Sequence, residues 1–228
     1  MDPGIFARFG FLAHGLRIVF SPSAGYQCRK EEKMNFLAHL YLAGDDEGLI
    51  VGNLMGDFVK GRLKGDYPAA VERGIALHRR IDSFTGTNPH FLMSKRRIDV
   101  SFGHYRGVMV DLFYDHFLAR HWGEYSDTDL SGFLNKMLRV AEKHHPLLPD
   151  RLSRFIPYIF AELLPSYLEI SGIGRALERM SARSGRRNRL GEGANELKMN
   201  YEMLREDFRL FFPELRGFVR EWKEGNSR

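Results

Sequence analysis

From Met34 onward, apolar residues recur at intervals of three and four, the spacing that lines one face of an α-helix, and no stretch alternates convincingly with the two-residue period of a strand. The pattern predicts helices over 35–43, 49–60, 68–86, 102–122, 128–144, 151–163, 173–182 and 195–222, with only shorter turns near 89–98. Polar punctuation fits these limits. "GDDEG" at 44–48 separates the first two helices, Pro68 stands at a helix start, "SDTD" at 126–129 offers N-cap residues, and "HHPLLPD" at 144–150 is a proline-bounded connection. "SARSGRRNRLGEG" at 181–193 is basic and poor in large apolar residues, which predicts an exposed loop. The expected architecture is a single all-α domain over 34–228. Residues 1–33 differ: Pro3, Pro22, several glycines and the charged run "RKEEK" predict a disordered N-terminal extension.

Four of these helices carry a polar pair spaced by four, so that both members share a face: Asn35 with His39, Asn53 with Asp57, His78 with Asp82, and Asp111 with Asp115. The last pair is the most informative. Val108, Met109, Val110, Leu112, Phe113, Phe117 and Leu118 surround that helix with apolar groups, the pattern of a buried element that nonetheless holds two carboxylates and His116. A buried carboxylate stays ionised only with a cation beside it, so a metal or an arginine such as Arg79 or Arg80 is required. Imidazole with carboxylate, and no thiolate, suits Mn, Mg, Fe or Zn, and helical bundles place such ions between facing helices. Each member has a plainer reading. His78 with Asp82 alone is more often a structural ion pair, His39 alone a hydrogen-bonded core histidine, and Asn53 a brace. His90, His121, His144 and His145 read as surface or capping groups, and His104 lies near an uncertain helix start. The conjunction of pairs carries the weight.

Composition narrows the partners. With 228 residues, 43% hydrophobic and 13% aromatic, the chain can bury a substantial core. A formal charge of +5 points to an anionic partner without choosing among them. The single cysteine, Cys28, excludes an internal disulfide framework or thiolate cluster and suits a reducing cytoplasm. No apolar run reaches membrane-spanning length, since His14 and Arg17 interrupt "FGFLAHGLRIVF", and the same stretch lacks the clean apolar core of a signal peptide.

Taken in order, "MNFLAHLYLA", "GNLMGDFVKG", "GIALHRRIDSFTG" and "DLFYDHFLARHW" closely resemble the acyl carrier protein phosphodiesterase family, and the likeness continues through "MSARSGRRNRL" and "FRLFFPEL" to about Trp222. The resemblance implies an all-helical enzyme distantly similar to HD-domain phosphohydrolases. It also implies a divalent metal, typically manganese, and hydrolysis of the phosphodiester joining 4'-phosphopantetheine to a serine of holo acyl carrier protein. The motif residues it carries over are Asn35, His39, Asn53, Asp57, His78, Arg79, Asp82, Asp115 and His116. Gly86 departs from the family, which commonly has an acidic residue there.

On that resemblance, His39, Asp57, His78, Asp115 and His116 are candidate metal ligands, an upper bound for one ion. Asp82 acts as ligand, general base or partner to a ligand, and Asn35 and Asn53 complete the catalytic set. Arg79, turned about 100 degrees from Arg80, is the expected partner of phosphate oxygens. The acidic carrier protein gives a use to the basic runs Lys60, Arg62, Lys64; Lys95, Arg96, Arg97; and Arg183, Arg186, Arg187, Arg189. Two rivals remain. One is an HD-type phosphohydrolase acting on a nucleotide or another small phosphodiester. The other is a non-catalytic helical nucleic-acid-binding protein, for which no recognised motif speaks.

Overall fold

The computed structural model describes residues 35–184 and 188–226; the extension expected over 1–33, with Cys28, and Arg186 and Arg187 of the late basic loop lie outside them. The described residues are all-helical and contain no strand, as the periodicity predicts. The α-helices are α1 (Phe36–Ala43), α2 (Glu47–Met55), α3 (Ala69–Thr87), α4 (Pro89–Arg97), α5 (Arg106–Arg120), α6 (Leu130–Lys143), α7 (Asp150–Tyr158), the single turn α8 (Leu164–Ser166), α9 (Ile170–Arg183), α10 (Ala194–Met199) and α11 (Tyr201–Gly225). A π-helical turn, Ile159–Leu163, joins α7 to α8.

Several boundaries differ from expectation, and four of the differences have a clear local reason. α2 ends at Met55 rather than near 60, and the chain runs to Pro68 as a loop in which Gly61 and Gly65 take φ of +82° and +85°, a region open chiefly to glycine. Phe58 and Val59 look helical in sequence because they pack on the core from that loop. The stretch near 89–98 is a true helix. Asn88 Oδ1 accepts from the His90 and Phe91 amides at 2.9 and 3.4 Å, and Pro89 fills the first helical position, where its missing N–H costs nothing. The helix expected over 102–122 starts only at Arg106, because Gly103 turns the chain with φ +55°. The last predicted helix is two, α10 and α11. They break at Asn200, whose side-chain amide donates to the Glu196 carbonyl at 3.1 Å and competes with the helical ladder.

The core forms around α5, which is buried without interruption from Val108 to Ala119 and touches α1, α4, α9 and α11. Beside it, α2 and α3 approach more closely than ordinary helices. A side chain at Gly52 would fall 2.6 Å from the Gly74 Cα, so only glycine admits this contact. Close packing of α2 on α3, with α1 laid across both, brings the polar pairs of the three helices together.

Candidate metal centre

His39 lies in the middle of α1 and His78 in the middle of α3, both buried. Their rings stack face to face, with centroids 3.9 Å apart and planes inclined by 17°. Asn53, on α2 between them, fixes both. Its backbone carbonyl lies 2.9 Å from His78 Nδ1, and its side-chain oxygen lies 3.3 Å from His39 Nδ1. The Asn53 amide nitrogen donates to the Leu49 carbonyl at 3.2 Å, which orients the side chain so that its oxygen faces the histidine. Two oxygens accept only if each imidazole carries its proton on Nδ1, and the lone pair is then left on Nε2. Those two Nε2 atoms are buried and, among the described residues, have no hydrogen-bond partner.

Both Nε2 atoms face Asp82, one turn beyond His78 on α3. The separations are 3.5 Å from His39 to Oδ1 and 3.8 Å from His78 to Oδ2, longer than good hydrogen bonds. One donor atom from each of His39, His78 and Asp82 falls within 4.8 Å of the others. Ligands bound at roughly 2.1 Å to one ion lie roughly 3–4 Å from each other, so the set fits a shared cation. Asp57, in the turn after α2, places Oδ1 3.8 Å from His78 Nε2 and 3.9 Å from Lys60 Nζ. The Asp57 and Asp82 side chains are 14% and 27% exposed, against 3% and 6% for the two histidines, so the group opens to solvent on the carboxylate side.

Burial, and then the neighbouring His78, hold the His39 pKa below the ordinary histidine value, which favours the neutral ring that a metal binds. Gly56 completes the support. A Cβ there would sit 2.5 Å from His78 Nδ1 and closer still to Cγ and Cδ2, so the backbone after α2 is the wall against which this ring rests.

The other expected residues are placed as follows. Asn35 is buried at the start of α1, one turn before His39, and its side chain makes no cap bond. Arg79 Nη2 donates to the Val59 carbonyl at 3.0 Å, tying down the loop that follows Asp57. Arg80 points elsewhere, over the Phe218 ring at 5.7 Å. Asp115 and His116, expected as ligands, are not brought to this group. Both Asp115 oxygens accept backbone N–H groups of α1, and His116 is held between the Tyr167 carbonyl at 2.7 Å and the Tyr201 hydroxyl at 3.1 Å. Sequence spacing put them on a buried helix, and the partners they meet there are backbone and phenol groups. Asn53, expected in the catalytic set with a simple brace as its plainer reading, is placed to set the tautomer of both imidazoles, and Gly56, which no motif marks, supports one of them.

A family model described as acyl carrier protein phosphodiesterase matches residues 34–215. The chain belongs to the acyl carrier protein phosphodiesterase family. A Serratia proteamaculans protein of that name is 35% identical over 184 residues, covering 80% of this chain and 95% of the relative. A Klebsiella pneumoniae namesake is 36% identical over 187 residues and a Yersinia pestis one 32% over 184, with the same coverage. The chain is thus an enzyme, a hydrolase of the acyl carrier protein phosphodiesterase family. No solved structure matches it. Among the described residues, no helix is long and apolar enough to cross a membrane.

Proposed function

We propose that the chain hydrolyses the phosphodiester joining 4'-phosphopantetheine to a serine of holo acyl carrier protein, releasing apo carrier protein and 4'-phosphopantetheine, with a divalent ion, manganese first, held by His39, His78 and Asp82. The observation that carries this reading is the pair of buried, unpartnered Nε2 atoms facing a carboxylate. Two stacked imidazoles sealed from water with their lone pairs unused lose hydrogen-bond energy, and a cation restores it. A bound divalent ion supplies charge beside the phosphoryl oxygens and makes water a stronger acid. A helical His and Asp donor set also supports the likeness to HD-domain phosphohydrolases.

The side chains divide the remaining work. Asn53 keeps both rings neutral and aimed, and buried His39 resists protonation that would cancel its donor. Asp57, at the solvent margin, is the residue placed to accept a proton from attacking water. Arg79 has one Nη committed to the Val59 carbonyl, leaving its other N–H groups to meet phosphate. Lys60, Arg62 and Lys64 stand exposed on the loop beside Asp57, where an acidic carrier protein would be steered toward the site. A cytoplasmic setting belongs to the same proposal.

Mass spectrometry of holo carrier protein incubated with the enzyme, with Mn2+ and after chelation, tests the whole. Loss of the phosphopantetheine mass only with metal is the expected result. Intact holo protein under both conditions, with hydrolysis of a nucleotide phosphodiester instead, would replace this reading by the small-substrate one.

A further inference from the structure

We infer that Asp115 is a positioning residue for this reaction, holding α1 from within the core so that His39 stands where the metal group needs it. The inference rests on the proposed function for the reaction, but its geometry is independent of it. Asp115 is fully buried in α5, and its Oδ2 and Oδ1 accept the Leu37 and Ala38 amides at 3.0 and 2.9 Å. These are first-turn N–H groups that no residue within α1 can satisfy, and Asn35 at the cap supplies no side-chain bond. The carboxyl group bridges 78 positions of sequence to do what a local cap does elsewhere.

The other end of α1 is held in the same manner. Lys223 of α11 donates to the Ala43 carbonyl at 2.8 Å, across 180 positions. The ammonium at the C-terminus matches the helix dipole, and the carboxyl group at the N-terminus takes up amides left over at the helix start. An isolated eight-residue helix is marginal in water, so its place is set by what grips it. His39 is the fourth residue of those eight, between the two grips. Burial pushes the Asp115 pKa up to about 8 while the two amide bonds pull it down. Among the described residues no basic side chain is bonded to it, and its two bonds to the amides of α1 offset part of the cost of burying it.

Asp115→Asn and Lys223→Met separate this role from a merely structural one. Asparagine keeps one acceptor oxygen and turns its NH2 toward the other amide, which pushes the start of α1 away. The ring resonances of His39, assigned with His39→Gln, report its place against His78 without metal or substrate. Titration with Mn2+ alone, followed by electron paramagnetic resonance, reports the donor set. For folded Asp115→Asn we expect shifted His39 resonances, Mn2+ affinity weaker by about 10-fold or more, and kcat lower by a similar factor with KM within about twofold. Lys223→Met should move the same readouts in the same direction by about threefold, the scale of one lost hydrogen bond.

Unmoved His39 resonances and wild-type Mn2+ affinity in Asp115→Asn, with only a lower Tm, would overturn the inference. Should Asp115→Asn fail to fold, Lys223→Met decides alone by the same two readouts. Wild-type protein that neither binds Mn2+ nor cleaves holo carrier protein would refute the proposed function, while the His39 resonances would still decide whether Asp115 places α1.

Discussion

Gly56→Ala adds one methyl group at the wall of the site. The backbone there is already right-handed helical, φ −52° and ψ −40°, so alanine brings no strain and gains about 0.5–1 kcal/mol through lower chain entropy. The methyl would nonetheless lie 2.5 Å or less from three atoms of the His78 ring, where ordinary contacts are about 3.5 Å, so the imidazole must retreat by about 1 Å. Retreat is blocked on the far side by the His39 ring at 3.9 Å, and it stretches the 2.9 Å contact with the Asn53 carbonyl. Overpacking of this kind costs about 1–3 kcal/mol and a lost buried hydrogen bond about 1, which leaves a net loss of about 1–3 kcal/mol. For a chain of this length that lowers Tm by about 3–10 °C. Displacing a ligand by 1 Å should reduce kcat about 100-fold. Calorimetry and a holo carrier protein cleavage assay measure both. Gly86→Ala is the control. It lies inside α3 with nothing within 4 Å of an added Cβ, so stability should rise by about 0.5–1 kcal/mol with turnover unchanged. Wild-type Tm and turnover in Gly56→Ala would show that His78 does not rest on this wall, and the site would have to be rebuilt.

Three further outcomes follow from the same geometry. His78→Ala should abolish both turnover and Mn2+ binding, whereas Asp57→Ala should abolish turnover with a smaller loss of Mn2+ affinity; equal losses of affinity would make Asp57 a full ligand. Stability of the metal-free protein should peak near pH 6.5. Below it the unfolded chain binds protons at His39 and His116 that burial in the fold resists, so stability falls on acidification. Above it folded Asp115, with a pKa of about 8, keeps a proton that the unfolded chain has already lost above 3.8, so stability falls toward pH 8 by up to about 1.4 kcal/mol per pH unit. Calorimetric melts from pH 5 to 8 check the sign of each limb, and a continuous rise to pH 8 would contradict the second. Finally, KM for carrier protein should rise with ionic strength, and less steeply once Lys60, Arg62 and Lys64 are all alanine; a salt-independent KM would remove the steering role.

What the sequence made legible was mostly local. The pairing of His78 with Asp82 follows from helical spacing alone, and α3 was expected within one residue of its observed ends because Pro68 and the apolar stripe mark it. The meeting of His39 with His78 was hinted at only by the recurrence of pairs, since it depends on the Gly52 and Gly74 contact that draws α2 against α3. Asp115 and His116 lie apart from the histidine and carboxylate group for a physical reason. A buried carboxyl group needs hydrogen-bond donors, and the start of a helix supplies them without any cation. Nothing in the spacing of "DLFYDHF" tells an ion from the amide ends of α1. The helix α4 was written in "NPH" as a capping signal, but its apolar stripe is too short to stand out.

The histidine and carboxylate donors all fall between residues 39 and 82, so a ribosome delivers them early. Lys223, which grips the end of α1, emerges last of all the groups that shape the site. A growing chain therefore carries every donor atom long before it can hold them in register, and truncation ahead of α11 should leave a full complement of ligands with their aim impaired. On the proposed reading, the aim of the donors waits on a helix that the chain supplies only after every one of them.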